Sequence, residues 1–196
     1  MKPCAIAASR RCETTTPASP APRISCGWRS IVADAPPRRA RRAIVVGIGN
    51  PDRGDDGAGR AVVQRLRGKL PAHIEAAEHD GEATSLLALL DGADAAFLID
   101  ACLSGAEPGT VRRFDVARSP LPKEDFQVST HGLGLAEAIE LARALKQLPS
   151  SCVVYAIEAA SAEPGASLSP PVASAVDIVG EKVQAEITLA EGIRHA

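Results

Sequence analysis

Asp56, Asp100 and His131 are the side chains whose types and settings best suit chemistry. Each sits where an apolar or glycine-rich run gives way to a turn: Asp56 in Asp55-Asp56-Gly57, Asp100 at the end of Phe97-Leu98-Ile99-Asp100, and His131 directly after Ser129-Thr130. Two carboxylates supply anionic oxygen ligands and a neutral imidazole coordinates transition metals, a combination suited to nickel or zinc. Each residue also has an ordinary structural reading. Asp55 and Asp56 stand where a helix start needs acceptors for unpaired N–H groups and favours negative charge, and Asp55 is the better cap, which leaves Asp56 to face a cleft. Asp100 requires either backbone donors or a cation, because an unpartnered carboxylate at the end of a buried strand is costly. His131 can cap a loop or helix entrance as readily as it binds a metal.

Other polar groups carry less. His79, Asp80 and Glu82 form a cluster that turn hydrogen bonding explains more simply than catalysis. Cys102 and Cys152 read as buried structural thiols, since no adjacent residue specifies how a thiolate would be activated. The run Gly47-Ile48-Gly49-Asn50-Pro51-Asp52-Arg53-Gly54 departs from a dinucleotide turn because Asp52 occupies the place of the last glycine. No GK[ST] follows it, and the acidic pair Asp55-Asp56 opposes a phosphate. Neither a G-x-S-x-G elbow nor an H-E-x-x-H helix occurs, which removes the familiar serine-hydrolase and zincin assignments.

These residues must be held by a regular frame. Residues 43–50 read as a buried strand entering a glycine-rich turn, and residues 58–70 as the helix that follows. Strands are predicted at 73–78, 93–101, 110–116 (more exposed) and 151–159, with helices around 85–92, after His131, and near 171–190. Residues 164–171 read as a loop feeding the last helix, with proline near its start. This alternation predicts an α/β/α sandwich of three layers around a mostly parallel, twisted sheet. Open sheets of this kind bind ligands beyond the carboxyl ends of their strands, so segments 49–57, 78–82, 100–105 and 127–133 are expected around one cleft.

Charge divides the chain. Residues 1–42 carry nine Lys/Arg against two acids, whereas residues 43–196 carry thirteen against twenty-two, a balance of +7 against −9. The negative body argues against a nucleic-acid surface. Residues 1–42, rich in Pro and small polar residues, are predicted to be a flexible basic extension: an anionic-surface tether, a targeting peptide, or an extension without function. Residues 43–196 are the predicted folded domain. Five scattered cysteines without a CxxC pair fit a reducing compartment, and no run long enough for a membrane helix exists, so a cytoplasmic location without membrane insertion is expected.

Taken together, VVGIGNPDRGDDGAG (45–59), HDGEATSLLALL (79–90), FLIDACLSGAEPGTVRRFD (97–115), STHGLGL (129–135) and PGASLSPPV (164–172) closely resemble the hydrogenase maturation protease family. The resemblance spans about residues 42–190. It implies an α/β sandwich and an endopeptidase, of a kind grouped with aspartyl-type enzymes, that removes the C-terminal extension of a nickel-iron hydrogenase large-subunit precursor after nickel insertion. It also implies that Asp56, Asp100 and His131 engage the nickel and serve cleavage, the metal being presented by the precursor rather than permanently bound. Two departures stand out: Asp56 occupies a position that is often glutamate in relatives, and HDGEAT replaces a more glycine-rich DGGT-like segment, placing Glu82 near the predicted cleft. Two other functions share these features: a nickel-dependent recognition or quality-control module that does not cut, and a general metal-dependent amidase.

Overall fold

A computed structural model of the chain describes residues 42–122 and 134–192. Residues 1–41 and the segment 123–133, with His131, lie outside the described residues. Five strands form one sheet: β1 (Ala43–Ile48), β2 (Ile74–His79), β3 (Ala95–Cys102), β4 (Val111–Asp115) and β5 (Ser151–Glu158). Their order is β2-β1-β3-β5-β4, with every pair parallel except β4 against β5. The mostly parallel α/β/α sandwich expected from the sequence is the observed architecture.

The apolar runs of β1, β3 and β5 follow from burial on both faces. Alternate side chains feed two separate cores, as the pleat requires. Ile44, Val46, Leu98 and Val154 meet Leu86 and Leu90 of α2 (Ala83–Leu90) and Ile139 of α3 (Leu135–Ala144). Val45, Ile99, Tyr155 and Ile157 meet Val62 and Leu66 of α1 (Ala58–Leu66) and Val172, Val176 and Val179 of α4 (Pro170–Gly192). Edge strand β4 is polar and tied inward: Arg113 forks onto Glu186 of α4 at 2.7 and 2.9 Å, and the Tyr155 hydroxyl donates to the same carboxylate at 2.5 Å.

Two helices differ from their predicted limits for local reasons. The first ends at Leu66, short of residue 70, because Arg67 leaves the helical region (ψ 129) and Gly68 turns to φ 75. α2 starts at Ala83, ahead of the predicted start, because the Glu82 carboxylate accepts the Thr84 and Ser85 N–H groups at 2.8 and 2.7 Å. Among the described residues no helix is long and apolar enough to cross a membrane.

The connections fix where a ligand can reach the sheet. From β1 the chain crosses to one neighbour, β2, over α1, and returns over α2 on the other face to β3. Loops after β1 and β3 therefore part in opposite directions, and a crevice opens between the ends of these two central strands. α1 is pressed onto that place. A Cβ at Gly59 would lie 2.2 Å from the Ile99 carbonyl oxygen and 2.4 Å from that of Ile48, and one at Gly47 would lie 2.2 Å from the Gly59 oxygen. Both glycines are needed for contact of backbone with backbone.

Candidate active site

The turn after β1 is a single 3-10 turn, Gly54–Gly57, leading into α1. It is strapped to its own strand end. Asn50 N–H donates to Asp56 Oδ2 at 3.1 Å, Gly49 N–H donates to the His79 carbonyl at 3.1 Å, and Gly49 adopts φ 127 with the Asp56 carbonyl where a Cβ would stand. Asp100 ends the apolar part of β3, the strand beside β1, and accepts the Ala101 N–H at 2.9 Å through Oδ1. Its side chain keeps a partial opening to the surface. Burial first, and then repulsion from Asp56, push the Asp100 carboxyl up to about 7. The structure thus brings Asp56 and Asp100 within electrostatic reach at the mouth of the crevice. His131, the third residue expected there, lies outside the described residues.

A carboxyl that resists ionising beside a second carboxylate makes a place where a cation is favoured, because a positive charge offsets the repulsion and the cost of burial. Among the described residues no group of three or more His, Cys, Asp or Glu side chains is gathered as a metal site. Asp56 and Asp100 are the two described side chains there whose oxygens could serve as donors to a cation. The elevated Asp100 carboxyl is also suited to holding or releasing a proton near neutrality.

Of the expected segments, 49–57, 78–82 and 100–105 run out at the same carboxyl edge of the sheet, while 127–133 falls outside the described residues. Sequence reasoning missed a further segment, 160–169, that packs on the first. Asp55 is the clearest revision: it does not cap α1, whose N-cap Gly57 receives no side-chain bond. Its buried carboxylate reaches instead to Ala160, Ser161 and Ser169. No local signal could have shown this, since its partners lie more than a hundred positions away.

Glu158 was also missed, read only as part of a strand. At the end of β5 it is 1% exposed, and its Oε1 accepts N–H bonds from Ser104, Gly105 and Ala106 at 2.8, 2.9 and 3.2 Å. Oε2 accepts from the Ser104 hydroxyl (2.7 Å) and the Cys102 thiol (3.2 Å), with Arg112 Nη2 at 3.8 Å. Burial alone would raise this carboxyl, but the donors from Ser104, Cys102 and Gly105 hold it below the usual range. Glu158 thereby fixes the exit of β3 just beyond Asp100.

The remaining polar groups are structural. His79 Nδ1 accepts the Gly81 N–H at 2.9 Å, so its Nε2 carries the proton toward Ser85 Oγ at 3.0 Å, and burial lowers its pKa despite Asp80 and Glu82. Glu82, expected near the cleft, spends its charge on the start of α2, whose backbone donors hold its carboxyl at about 2. Burial pushes the Cys102 and Cys152 thiols each up to about 12, in keeping with structural roles.

This frame and crevice have close parallels. The family model for hydrogenase maturation protease matches residues 80–186. The chain belongs to the hydrogenase maturation protease family. The hydrogenase expression/formation protein HupD of Rhodobacter capsulatus is 29% identical over 145 residues, covering 72% of this chain and 69% of the relative. The hydrogenase maturating endopeptidase HybD from E. coli superposes with a TM-score of 0.65 at 26% identity, covering 76% of this chain and 93% of that one. The [NiFe] hydrogenase maturation protease HybD from Thermococcus kodakarensis gives a TM-score of 0.59 at 25% identity, covering 74% and 99%. As a member of this family the chain is a peptidase, with an endopeptidase role in hydrogenase maturation.

Proposed function

We propose that the chain removes the C-terminal extension of a nickel-loaded nickel-iron hydrogenase large-subunit precursor, with Asp56, Asp100 and His131 engaging the nickel that the precursor presents. The observation that carries this reading is the pairing of Asp56 with Asp100 at the β1–β3 crevice, where burial first and repulsion from Asp56 second leave Asp100 unusually basic. A nickel ion arriving on the precursor relieves that repulsion, and an unloaded precursor does not. Nickel is therefore a token of completed metal insertion, and the carboxylates are its reader.

Cleavage is hydrolysis: water adds to the scissile carbonyl carbon, the C–N bond breaks, and the departing amine takes a proton. Asp100 is the described group fitted to accept the water's proton, because its affinity lies near neutrality. Glu158 holds the strand end that carries it. Residues 43–196 form the catalytic body in this reading, which assigns residues 1–42 no part in cleavage, and the protein works in the cytoplasm, where Cys102 and Cys152 remain thiols.

The test is incubation of the full chain with the large-subunit precursor, with and without inserted nickel, followed by intact mass. Loss of one C-terminal peptide only from the nickel-loaded precursor is the expected result. Nickel-dependent association without mass loss supports the non-cutting recognition module instead. Cleavage of small amides or unrelated peptides without nickel supports a general amidase.

A further inference from the structure

Asp55 adjoins Asp56 in the same turn, yet the reading above gives it no part. Its side chain is 2% exposed. Oδ2 accepts from the Ala160 N–H (2.8 Å), the Ser161 N–H (3.3 Å) and the Ser169 hydroxyl (2.9 Å), and Oδ1 accepts the Ser169 N–H at 2.6 Å. Its own N–H donates to the Ser161 carbonyl at 3.2 Å. Neighbours reinforce the seam: Gly165 N–H donates to the Asp52 carbonyl at 2.7 Å, and Arg53 Nε to that of Ala162 at 3.4 Å. Ser169 directly precedes α4, so the carboxylate also stands at the positive end of a long helix.

The turn that carries Asp56 is thus gripped from two directions. On one side the Asn50 N–H ties Asp56 to the end of β1, with Gly49 packed beneath the Asp56 carbonyl; on the other Asp55 bolts the turn to segment 160–169. We infer that Asp55 is a positioning residue of the peptidase, fixing through this clamp the direction in which the Asp56 carboxylate meets the precursor's nickel. The inference rests on the reading of Asp56 given above.

The geometry accepts no substitute for aspartate. Both oxygens receive backbone N–H groups, so an asparagine in either orientation sets its own NH2 against a backbone donor. A glutamate adds a methylene to a closed space. Loss of the clamp leaves Asp56 its chemistry and removes its aim, and misplacement on the order of 1 Å can lower turnover about a hundredfold.

The experiment uses the full chain with Asp55→Asn, Ser169→Ala and Asp56→Asn. Three quantities are measured: the thermal midpoint, the dissociation constant for nickel(II) alone by titration calorimetry, and kcat and KM on the nickel-loaded precursor. Asp56→Asn is expected to weaken nickel binding at least about tenfold. Asp55→Asn is expected to weaken it about tenfold and to lower kcat per folded molecule at least about tenfold, with KM within about threefold of wild type. Ser169→Ala, which removes one donor of four, moves both in the same direction by about two- to fivefold.

A purely structural role lowers the thermal midpoint and leaves the nickel constant and kcat of the folded protein unchanged. That result, with Asp56→Asn still impaired, overturns the inference and leaves the reading of Asp56 standing. Should Asp56→Asn bind nickel and cleave like wild type, the reading of Asp56 fails and the inference falls with it. Where wild type gives no heat with nickel alone, the kcat and KM split decides by the same criterion. Where Asp55→Asn does not fold, Ser169→Ala decides, and its unchanged behaviour overturns the inference.

Discussion

Replacing Asp100 by asparagine is expected to stabilise the protein while abolishing cleavage, because the same carboxyl that serves the site burdens the fold. Burial and Asp56 raise this group from 3.8 to about 7. The folded protein therefore binds the Asp100 proton more tightly than the unfolded chain does. The resulting stability is complete below about pH 4 and is lost as pH rises through 7. A gap of about 3 units at ~1.4 kcal/mol each sets an upper bound of about 4 kcal/mol, which solvent reaching the partly open side chain reduces to about 2. Asparagine stays neutral throughout and keeps an acceptor for the Ala101 N–H. The difference in stability between variant and wild type should grow from near zero at about pH 4 to about 2 kcal/mol at pH 8, or about 4–8 °C in a chain of this size. Thermal and urea unfolding across that range, with chelator present, measures it. Asp56→Asn removes the second cause and leaves burial, so it should flatten the wild-type profile only in part. A difference that stays constant from pH 4 to 8 would falsify the argument that Asp56 and burial together hold the proton on Asp100.

Three further outcomes follow from packing and hydrogen bonding. Gly59→Ala drives a Cβ to within 2.2 Å of the Ile99 oxygen and should cost at least about 3 kcal/mol or prevent folding, whereas Gly68→Ala, with open space around a positive φ, should cost about 1 kcal/mol; equal losses in urea unfolding would contradict the close approach of α1. Glu158→Ala strands three backbone donors and should cost about 3–5 kcal/mol, while Glu158→Gln retains one oxygen for them and should cost about 1–2. Denaturant melts of the two variants discriminate, and similar costs would mean that the carboxylate merely fills space. Cys102→Ala should leave precursor cleavage within about threefold of wild type, since a thiol at about 12 is not ionised near neutrality; a folded but inactive variant, judged by intact mass, would point to a thiol nucleophile after all.

What the chain reveals without its structure depends on how local the cause is. β1, β3 and β5 announce themselves because strands buried on both faces need continuous apolar runs, and Asp100 is conspicuous as the acid that ends one of them. Asp56 is visible as one of two adjacent acids at the approach to a helix, although the capping duty that singled it out from Asp55 is one that Asp55 does not perform. The exposed character of β4 shows in Val111-Arg112-Arg113-Phe114-Asp115. Strand order is not legible, since a crossover to the left or to the right uses the same kind of helix. The duties of Asp55 and Glu158 are equally hidden: their donors lie 105 to 114 and 52 to 56 positions away. Gly47 and Gly59 look like turn residues or helix defects until the Ile99 carbonyl is seen beneath α1. His131 stands out after Ser129 and Thr130, where capping explains it as readily as metal binding, and it lies outside the described residues.

The seat of Glu158 has one more meaning. Three successive amides, from Ser104 to Ala106, converge on a single oxygen, which is the way a concave backbone captures a phosphate or sulfate. In this chain the anion is supplied from within, on a neighbouring strand, and a solute arriving from water finds the hollow already filled. That hollow is closed to a phosphate by the protein's own side chain, and among the described residues at that edge of the sheet the neighbouring acids Asp56 and Asp100 present the opposite electrostatic demand, one that favours a cation.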